Sequence, residues 1–390
     1  MVTVAFVLDL SNNWLGGVNY YRNLLTAVSR YAPDSIRVKV FLPKGQDMDA
    51  FRDLSKNIEF VSVSFPARWT LPWFVRKLWM KFFHEDRFLA RHLLHHGVDV
   101  LSHAPNSVRC QGLKNIAWIP DFQHKYLPEF FSNEELSSRD AEFERMAACM
   151  DKVILSSETA KNDFIKYYPQ YKEKACVLRF APVLDFDSPK QVNLVEEKYG
   201  IIGKYFFLPN QYWKHKNHKV VIEALRILKE EEKFVRVVST GNTSDYRAPG
   251  HFAAIEAFVK EYELGDRYLI LGMIPYADVQ ALAEASLGYI NPSFFEGWST
   301  TVEEAKYRGK PILLSDLKVH REQDPRRGVF FDPNDPEDLA KKMWDLWQQP
   351  ILNEDIDVLK RKNEAALQEF AREYADIVRE MHKLNKNFDN

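Results

Sequence analysis

The stretch Asn291-Pro-Ser-Phe-Phe-Glu-Gly-Trp-Ser-Thr-Thr-Val-Glu-Glu-Ala-Lys-Tyr-Arg-Gly-Lys-Pro-Ile-Leu-Leu-Ser315 reads as a strand end, a glycine turn, a helix and a second strand. Glu296 falls in the turn. Glu304, eight positions on, falls one turn into the helix, and Ser299, Thr300 and Thr301 stand at the helix start. Unpaired backbone N–H groups and the positive end of the helix dipole suit an anion such as phosphate there. A carboxylate one turn in can accept hydrogen bonds from sugar hydroxyls beside that anion, so the pattern fits a nucleotide-sugar diphosphate. The same letters also fit two capping boxes, Thr300 with Glu303 and Thr301 with Glu304, in which the acid only satisfies the helix start.

Working outward, 390 residues exceed one ordinary core and suit two domains. Short apolar runs at 2–8, 38–42, 58–63, 98–101, 116–119 and 153–156 alternate with helical patterns near 18–31, 72–96, 133–150 and 157–168. After a polar passage at 185–200 the alternation restarts at 205–209, 234–239, 268–271, 288–291 and 311–315. Strand–helix alternation of this kind implies an α/β protein with parallel sheets wrapped by helices. The passage at 185–200 is the expected linker, giving domains 1–184 and 185–368 and a terminal helix 369–390. Leu367, Phe370, Tyr374, Ile377, Met381 and Leu384 repeat every three or four residues, which marks one helix face expected to dock on the protein itself.

A formal charge of −2 argues against a general nucleic-acid binder, and 46% apolar with 28% charged residues is ordinary for a water-soluble enzyme. Cys110, Cys149 and Cys176 are far apart and in no metal-ligand spacing, which suits a reducing cytoplasm. The N-terminus lacks the marks of a signal peptide, and no run reaches the roughly 18 apolar residues that cross a bilayer.

Three further loops follow predicted strands. Leu208-Pro-Asn-Gln-Tyr-Trp-Lys-His-Lys-Asn-His218 carries Lys214, Lys216 and Asn217; its cations either neutralise a leaving diphosphate or are simply solvated. The pair Gly16-Gly17 lets backbone approach a ligand or merely makes a tight turn, and it is not a G-x-G-x-x-G fingerprint. Asp121 and His124 can bind or deprotonate an acceptor hydroxyl, or serve only as a turn acid and a surface imidazole. Residues 68–83 interleave tryptophan and phenylalanine with Arg68, Arg76, Lys77 and Lys81, the composition of a membrane-surface helix and of a packed one alike.

The opening stretch resembles the paired-glutamate signature, Glu then seven residues then Glu, of retaining glycosyltransferases with the GT-B fold, and of glycosyltransferase family 4 (glycosyl transferases group 1) in particular. Pro292-Ser293, Glu296-Gly297-Trp298, Glu304-Ala305 and Gly309-Lys310-Pro311-Ile312 carry the likeness, with Trp298 where the family usually has Phe. The resemblance implies two Rossmann-like domains with parallel sheets facing a central cleft, and a C-terminal helix packing back on the N-terminal, acceptor-binding domain. It implies that Glu296 contacts the donor sugar and Glu304 the ribose, that Lys216 meets the pyrophosphate, and that Gly16 and Gly17 face the donor. Gly241, Met273 and Ile274 match the family's loops that meet the phosphates and base. Asn210 stands where the family places an Arg, and Lys214 is the candidate replacement. Asp121 and His124 match a stretch beside the reacting sugar.

The expected activity is metal-independent, retaining transfer from a UDP- or GDP-sugar to a saccharide or lipid-linked acceptor in cell-surface polysaccharide synthesis. No cofactor is expected, because Asp185-Phe-Asp187 lies in the linker rather than at a sheet edge. The expected setting is cytoplasmic, with contact to the inner membrane face through 68–83. The alternatives are an epimerase or hydrolase of the same fold and a non-catalytic nucleotide-sugar-binding scaffold.

Overall fold

The computed structural model describes residues 1–8, 15–44, 51, 54, 57–64, 69–104, 109–186, 192–350 and 354–386. Of the positions weighed above, Arg68 and Asp187 lie outside these. The chain divides into two compact units, one of Met1–Phe122, Glu134–Val183 and Glu364–Asn390, the other of Gln123–Asn133 and Leu184–Asn363.

The first unit is built on seven strands: β1 Val2–Val7, β2 Ile36–Pro43, β3 Glu59–Val63, β4 Val100–Ser102, β5 Lys114–Ile119, β6 Lys152–Leu155 and β7 Ala175–Val177. Their order is β3-β2-β1-β4-β5-β6-β7, and every pairing is parallel. Val4 pairs with both Val38 and Val100, which explains why β1, Thr3 apart, is apolar instead of alternating. The short edge strand β7 was not anticipated, since three half-buried residues leave no periodic signal.

The periodic stretch 72–96 is two helices, Leu71–Phe83 and Arg87–His95. His84 ends the first with φ +54°, and the Asp86 carboxylate starts the second by accepting from Leu89 N at 3.1 Å while pairing with Arg76. The first of these helices buries none of its residues.

The C-terminal helix runs Ile356–Lys386, starting well before 369. Phe370 lies 6.5 Å from Tyr20 on the helix Leu15–Tyr31, and Tyr374 lies 5.9 Å from Phe6 of β1. Leu367, Phe370, Tyr374, Val378 and Met381 are buried, so Val378 takes the place expected for Ile377, which stays half-buried.

The second unit has six parallel strands: β8 Phe206–Leu208, β9 Val237–Ser239, β10 Tyr268–Ile270, β11 Gly288–Asn291, β12 Ile312–Ser315 and β13 Gly328–Phe331. The order is β10-β9-β8-β11-β12-β13, so the chain reverses direction across the sheet between β8 and β11. At such a switch point the loops leaving two neighbouring strands part and open a crevice. The expected linker contains the helix Val192–Lys198, whose Val195 is buried against Tyr205 and Phe207. The segment Gln123–Asn133, counted with the N-terminal domain in the sequence, packs here: Tyr126 lies 5.4 Å from Phe295 and Arg247 4.2 Å from the Phe131 ring. Among the described residues no helix is long and apolar enough to cross a membrane.

Candidate functional site

The two loops at the switch point of the second unit are 209–217, after β8, and 292–299, after β11. His215 O accepts from Phe294 N at 2.8 Å and ties them together. Lys216 Nζ then reaches Glu296 Oε1 at 2.7 Å. The same oxygen lies 2.7 Å from the Ser293 hydroxyl and 3.4 Å from Asn291 Nδ2. Among the described residues nothing donates to Oε2. Burial alone would raise the Glu296 pKa, but Lys216, His320 and the Ser293 hydroxyl outweigh it and hold the carboxyl at about 2.

Asn291 acts as the hub of the turn. Its amide nitrogen donates to Ser299 Oγ at 2.7 Å, and its carbonyl oxygen lies 2.7 Å from the Ser293 hydroxyl. Ser299 is the N-cap of the helix Thr300–Tyr307 and accepts from Val302 N. With the cap at 299, the third helical position is the apolar Val302, so neither expected capping box forms. Glu303 instead takes Lys306 at 3.1 Å and Gln323 Nε2 at 2.8 Å. Gln323 also bonds both Ser299 N and Ser299 O, at 3.1 and 3.0 Å, which pins the helix start from the following helix.

Glu304 is treated differently from its neighbour. It is half-buried, and no donor among the described residues bonds its carboxylate. Burial pushes its pKa up, with Arg308 pulling the other way. Arg308 itself is buried and occupied by Glu284 at 3.2 Å and by Gln280. A half-buried carboxylate without a donor, one turn into a helix, is a ready acceptor for ligand hydroxyls.

Other sequence candidates fall into place around this turn. Thr301 Oγ1 donates to Asn210 Oδ1 at 3.2 Å, so the residue at the position of the family's Arg is buried against the helix start. Gly241 (φ +148°) lets the loop after β9 come so close that a Cβ would stand 2.5 Å from Asn210 O. Asn217 adopts the left-handed conformation and donates to Pro333 O at 2.8 Å, which gives it a structural task. The Lys214 ammonium lies 5.1 Å from the Phe130 ring, not beside Glu296's carboxylate. Thr300 opens the helix; Met273 is exposed and Ile274 packs on the core. His124 is buried in the short helix Gln123–Tyr126 of the second unit, whereas Asp121 and the glycines belong to the first. Gly16 and Gly17 sit inside the first turn of the helix Leu15–Tyr31 rather than in the loop before it; residues 9–14 of that loop lie outside the described residues.

Sequence reasoning missed Asn291, Ser293, Gln323 and His320. The first two lie in the quoted stretch as small polar residues at a strand end, the only signal available. His320 is buried with Nδ1 against Ser315 O at 2.7 Å, and its pKa is lowered by burial, partly offset by Glu296. Among the described residues no group of three or more His, Cys, Asp or Glu is placed to hold a metal ion.

Residues 196–363, which include both glutamates, the Lys216 loop and Gln323, match the family described as glycosyl transferases group 1. That stretch, somewhat under half of the chain, belongs to this family. Two curated relatives of the chain are O-antigen chain mannosyltransferase RfbU of Salmonella typhimurium, 22% identical over 198 residues, and O-antigen chain mannosyltransferase B of Escherichia coli, 20% identical over 246. The matches cover 51% and 62% of this chain and 51% and 64% of those relatives, so the chain spans less than two thirds of the length of either. Among solved structures, Anabaena Alr3699/HepE in complex with UDP and glucose superposes with a TM-score of 0.67 at 14% identity, covering 100% of this chain and 99% of that one. WaaG, a glycosyltransferase involved in lipopolysaccharide biosynthesis, gives 0.60 at 18%, covering 96% and 99%. These likenesses carry the fold, which is GT-B.

Proposed function

We propose that this protein is a retaining glycosyltransferase that moves a sugar from a UDP- or GDP-linked donor to a saccharide or lipid-linked acceptor during cell-surface polysaccharide assembly. The observation that carries the reading is the Lys216–Glu296 pair at the switch point, beside a helix start. Lys216 and the N–H groups of Thr300 and Thr301 take up charge as the diphosphate leaves, while the Ser299 N–H is already given to Gln323. Glu296 Oε2 accepts from a donor-sugar hydroxyl and Glu304 from the ribose. Gly241, Met273 and Ile274 line the phosphates and base largely through backbone, and Gly16 and Gly17 serve the donor. Asp121 and His124 are assigned to the acceptor hydroxyl. In this reading residues 1–184 bind acceptor, 185–368 bind nucleotide sugar, and the segment from 369 returns to the acceptor domain.

Both named relatives are mannosyltransferases of O-antigen chains, which makes mannose the first donor sugar to try. A lipid-linked acceptor would account for the helix Leu71–Phe83, on which Leu71, Phe74, Val75, Leu78, Phe82 and Phe83 are exposed. Apolar side chains interleaved with Lys77 and Lys81 suit an anionic membrane surface on the cytoplasmic side. The test is a panel of UDP- and GDP-sugars with and without lipid-linked saccharide. Nucleotide release only with acceptor supports transfer. Release without acceptor would replace it by hydrolysis, and binding without turnover by a scaffold.

A further inference from the structure

The carboxylate assigned to the ribose has a charged neighbour on its own helix. Arg308 closes the helix Thr300–Tyr307, and its N–H donates to Glu304 O at 3.0 Å, so the two residues lie one turn apart on the same face. The Arg308 side chain is only 1% exposed. Its Nη1 donates to Glu284 at 3.2 Å and its Nη2 to Gln280, both on the helix Tyr276–Ala285, so the guanidinium is held in place from the adjoining helix.

Around this guanidinium three buried donors lack an acceptor among the described residues: Arg308 Nε, Gln280 Nε2 and the Tyr289 hydroxyl on β11. One turn back, the Glu304 carboxylate lacks a donor among the same residues. Buried groups left unpaired in this way are costly, so donors and acceptor suit one another. The charges are coupled as well. Burial alone would lower the Arg308 pKa, but Tyr289, Glu304 and Glu284 outweigh it and raise it. Tyr289 is raised by burial, and both Glu304 and Tyr276 of the adjoining helix act on it. The remaining charges nearby are engaged elsewhere: Glu303 with Lys306 and Gln323, and Lys310 with Ser286 O at 3.0 Å.

We propose that Arg308 is the positioning residue of the ribose subsite: clamped by Glu284 and Gln280 one turn behind Glu304, it keeps that side chain a charged carboxylate that accepts from the ribose hydroxyls. This rests on the donor reading above. Burial raises the Glu304 pKa and Arg308 pulls it back, so the two act against each other on the group that must be ionised. A carboxyl with a raised pKa takes up its proton early as pH falls, and its capacity to accept falls with it. Without the guanidinium that loss begins at higher pH. Glu284, whose side chain is 45% exposed, shares the guanidinium and so has the opposite effect.

The experiment is calorimetric titration of wild type, R308M, R308K and E284Q with UDP, GDP and their 2′,3′-dideoxy forms at about pH 6 and about pH 8, with thermal unfolding of each variant alongside. The dideoxy forms carry the same phosphates, so protonation of the ligand cancels in the comparison. For whichever base the wild type binds, R308M is expected to weaken the ribonucleotide by about tenfold or more at the lower pH and about threefold at most at the higher, R308K by less, and the dideoxynucleotide by about twofold at most at either. Losses equal for the two sugars, losses equal at the two pH values, or none overturn the assignment and leave Arg308 as a brace between two helices. Should R308M unfold, E284Q tests the same link with the opposite sign: it should tighten the ribonucleotide by about twofold or more at the lower pH, and no change overturns the proposal. Failure of the wild type to bind either nucleotide would sink the donor reading itself, a distinguishable outcome.

Discussion

Lys216 Nζ lies 2.7 Å from Glu296 Oε1, with the two side chains 20% and 11% exposed. Such a pair is shielded enough to matter, because solvent screening is weak at that exposure. The Glu296 carboxyl drops from its ordinary 4.5 to about 2, worth about 3 kcal/mol at roughly 1.4 kcal/mol per pKa unit. A depressed acid pKa stabilises the fold above the unfolded value and loses that contribution as pH falls toward the folded one. Chemical denaturation between pH 5 and about pH 2 is therefore expected to show this loss in wild type and not in E296Q. Equal slopes for the two proteins would dissolve the pair's role.

Glu304 carries the opposite sign. Its pKa is raised by burial, so the ionised form costs the free protein stability at neutral pH. E304Q is expected to melt higher than wild type yet bind nucleotide more weakly by about 1–3 kcal/mol. Calorimetry and thermal unfolding on one preparation check both halves, and unchanged affinity would remove Glu304 from the ribose.

Gln323 spans 24 residues to hold Ser299 N and O. Removing its amide leaves buried polar groups without partners, so Q323A should cost about 1–3 kcal/mol in urea denaturation. Nucleotide affinity should fall with it, since the helix start is no longer pinned. A stable variant with full affinity would show that the bridge is dispensable.

At Gly241 an added methyl meets Asn210 O at 2.5 Å in a conformation that side chains rarely adopt. G241A is expected to lose more than about 1 kcal/mol and to lower nucleotide affinity by displacing the loop after β8. Denaturation curves matching wild type would contradict the close approach.

The helix Leu71–Phe83 has no buried residue, so charge on its apolar side chains should leave stability within about 0.5 kcal/mol. L78E and F82E are expected to reduce co-sedimentation with anionic lipid vesicles. Retained binding by both variants would argue that membrane contact lies elsewhere.

Much of the fold was legible in the chain. Eleven apolar runs marked strands because parallel strands buried on both faces read as continuous apolar letters. Two largely half-buried edge strands, β7 and β13, escaped this reading. The stretch 72–96 read as one helix because the periodicity continues through His84–Asp86, and the break depends on how Asp86 is held by Arg76 and Leu89 N. The two glutamates of the site were visible; the brace on their helix was not, since Gln323 comes from the following helix with no local pattern to mark it.

The alternation of strands and helices, the terminal apolar stripe and the Glu296–Glu304 spacing were written in the chain, because each is a matter of local periodicity. Which acid is structural was not. Glu303 and Glu304 are adjacent letters at one helix start, and a single residue step turns a side chain about 100° around the axis. Packing alone gave Glu303 to Lys306 and Gln323 and left Glu304 without a donor among the described residues. Contacts across tens of residues decide which way a helix faces, and that choice separates a brace from a binding group.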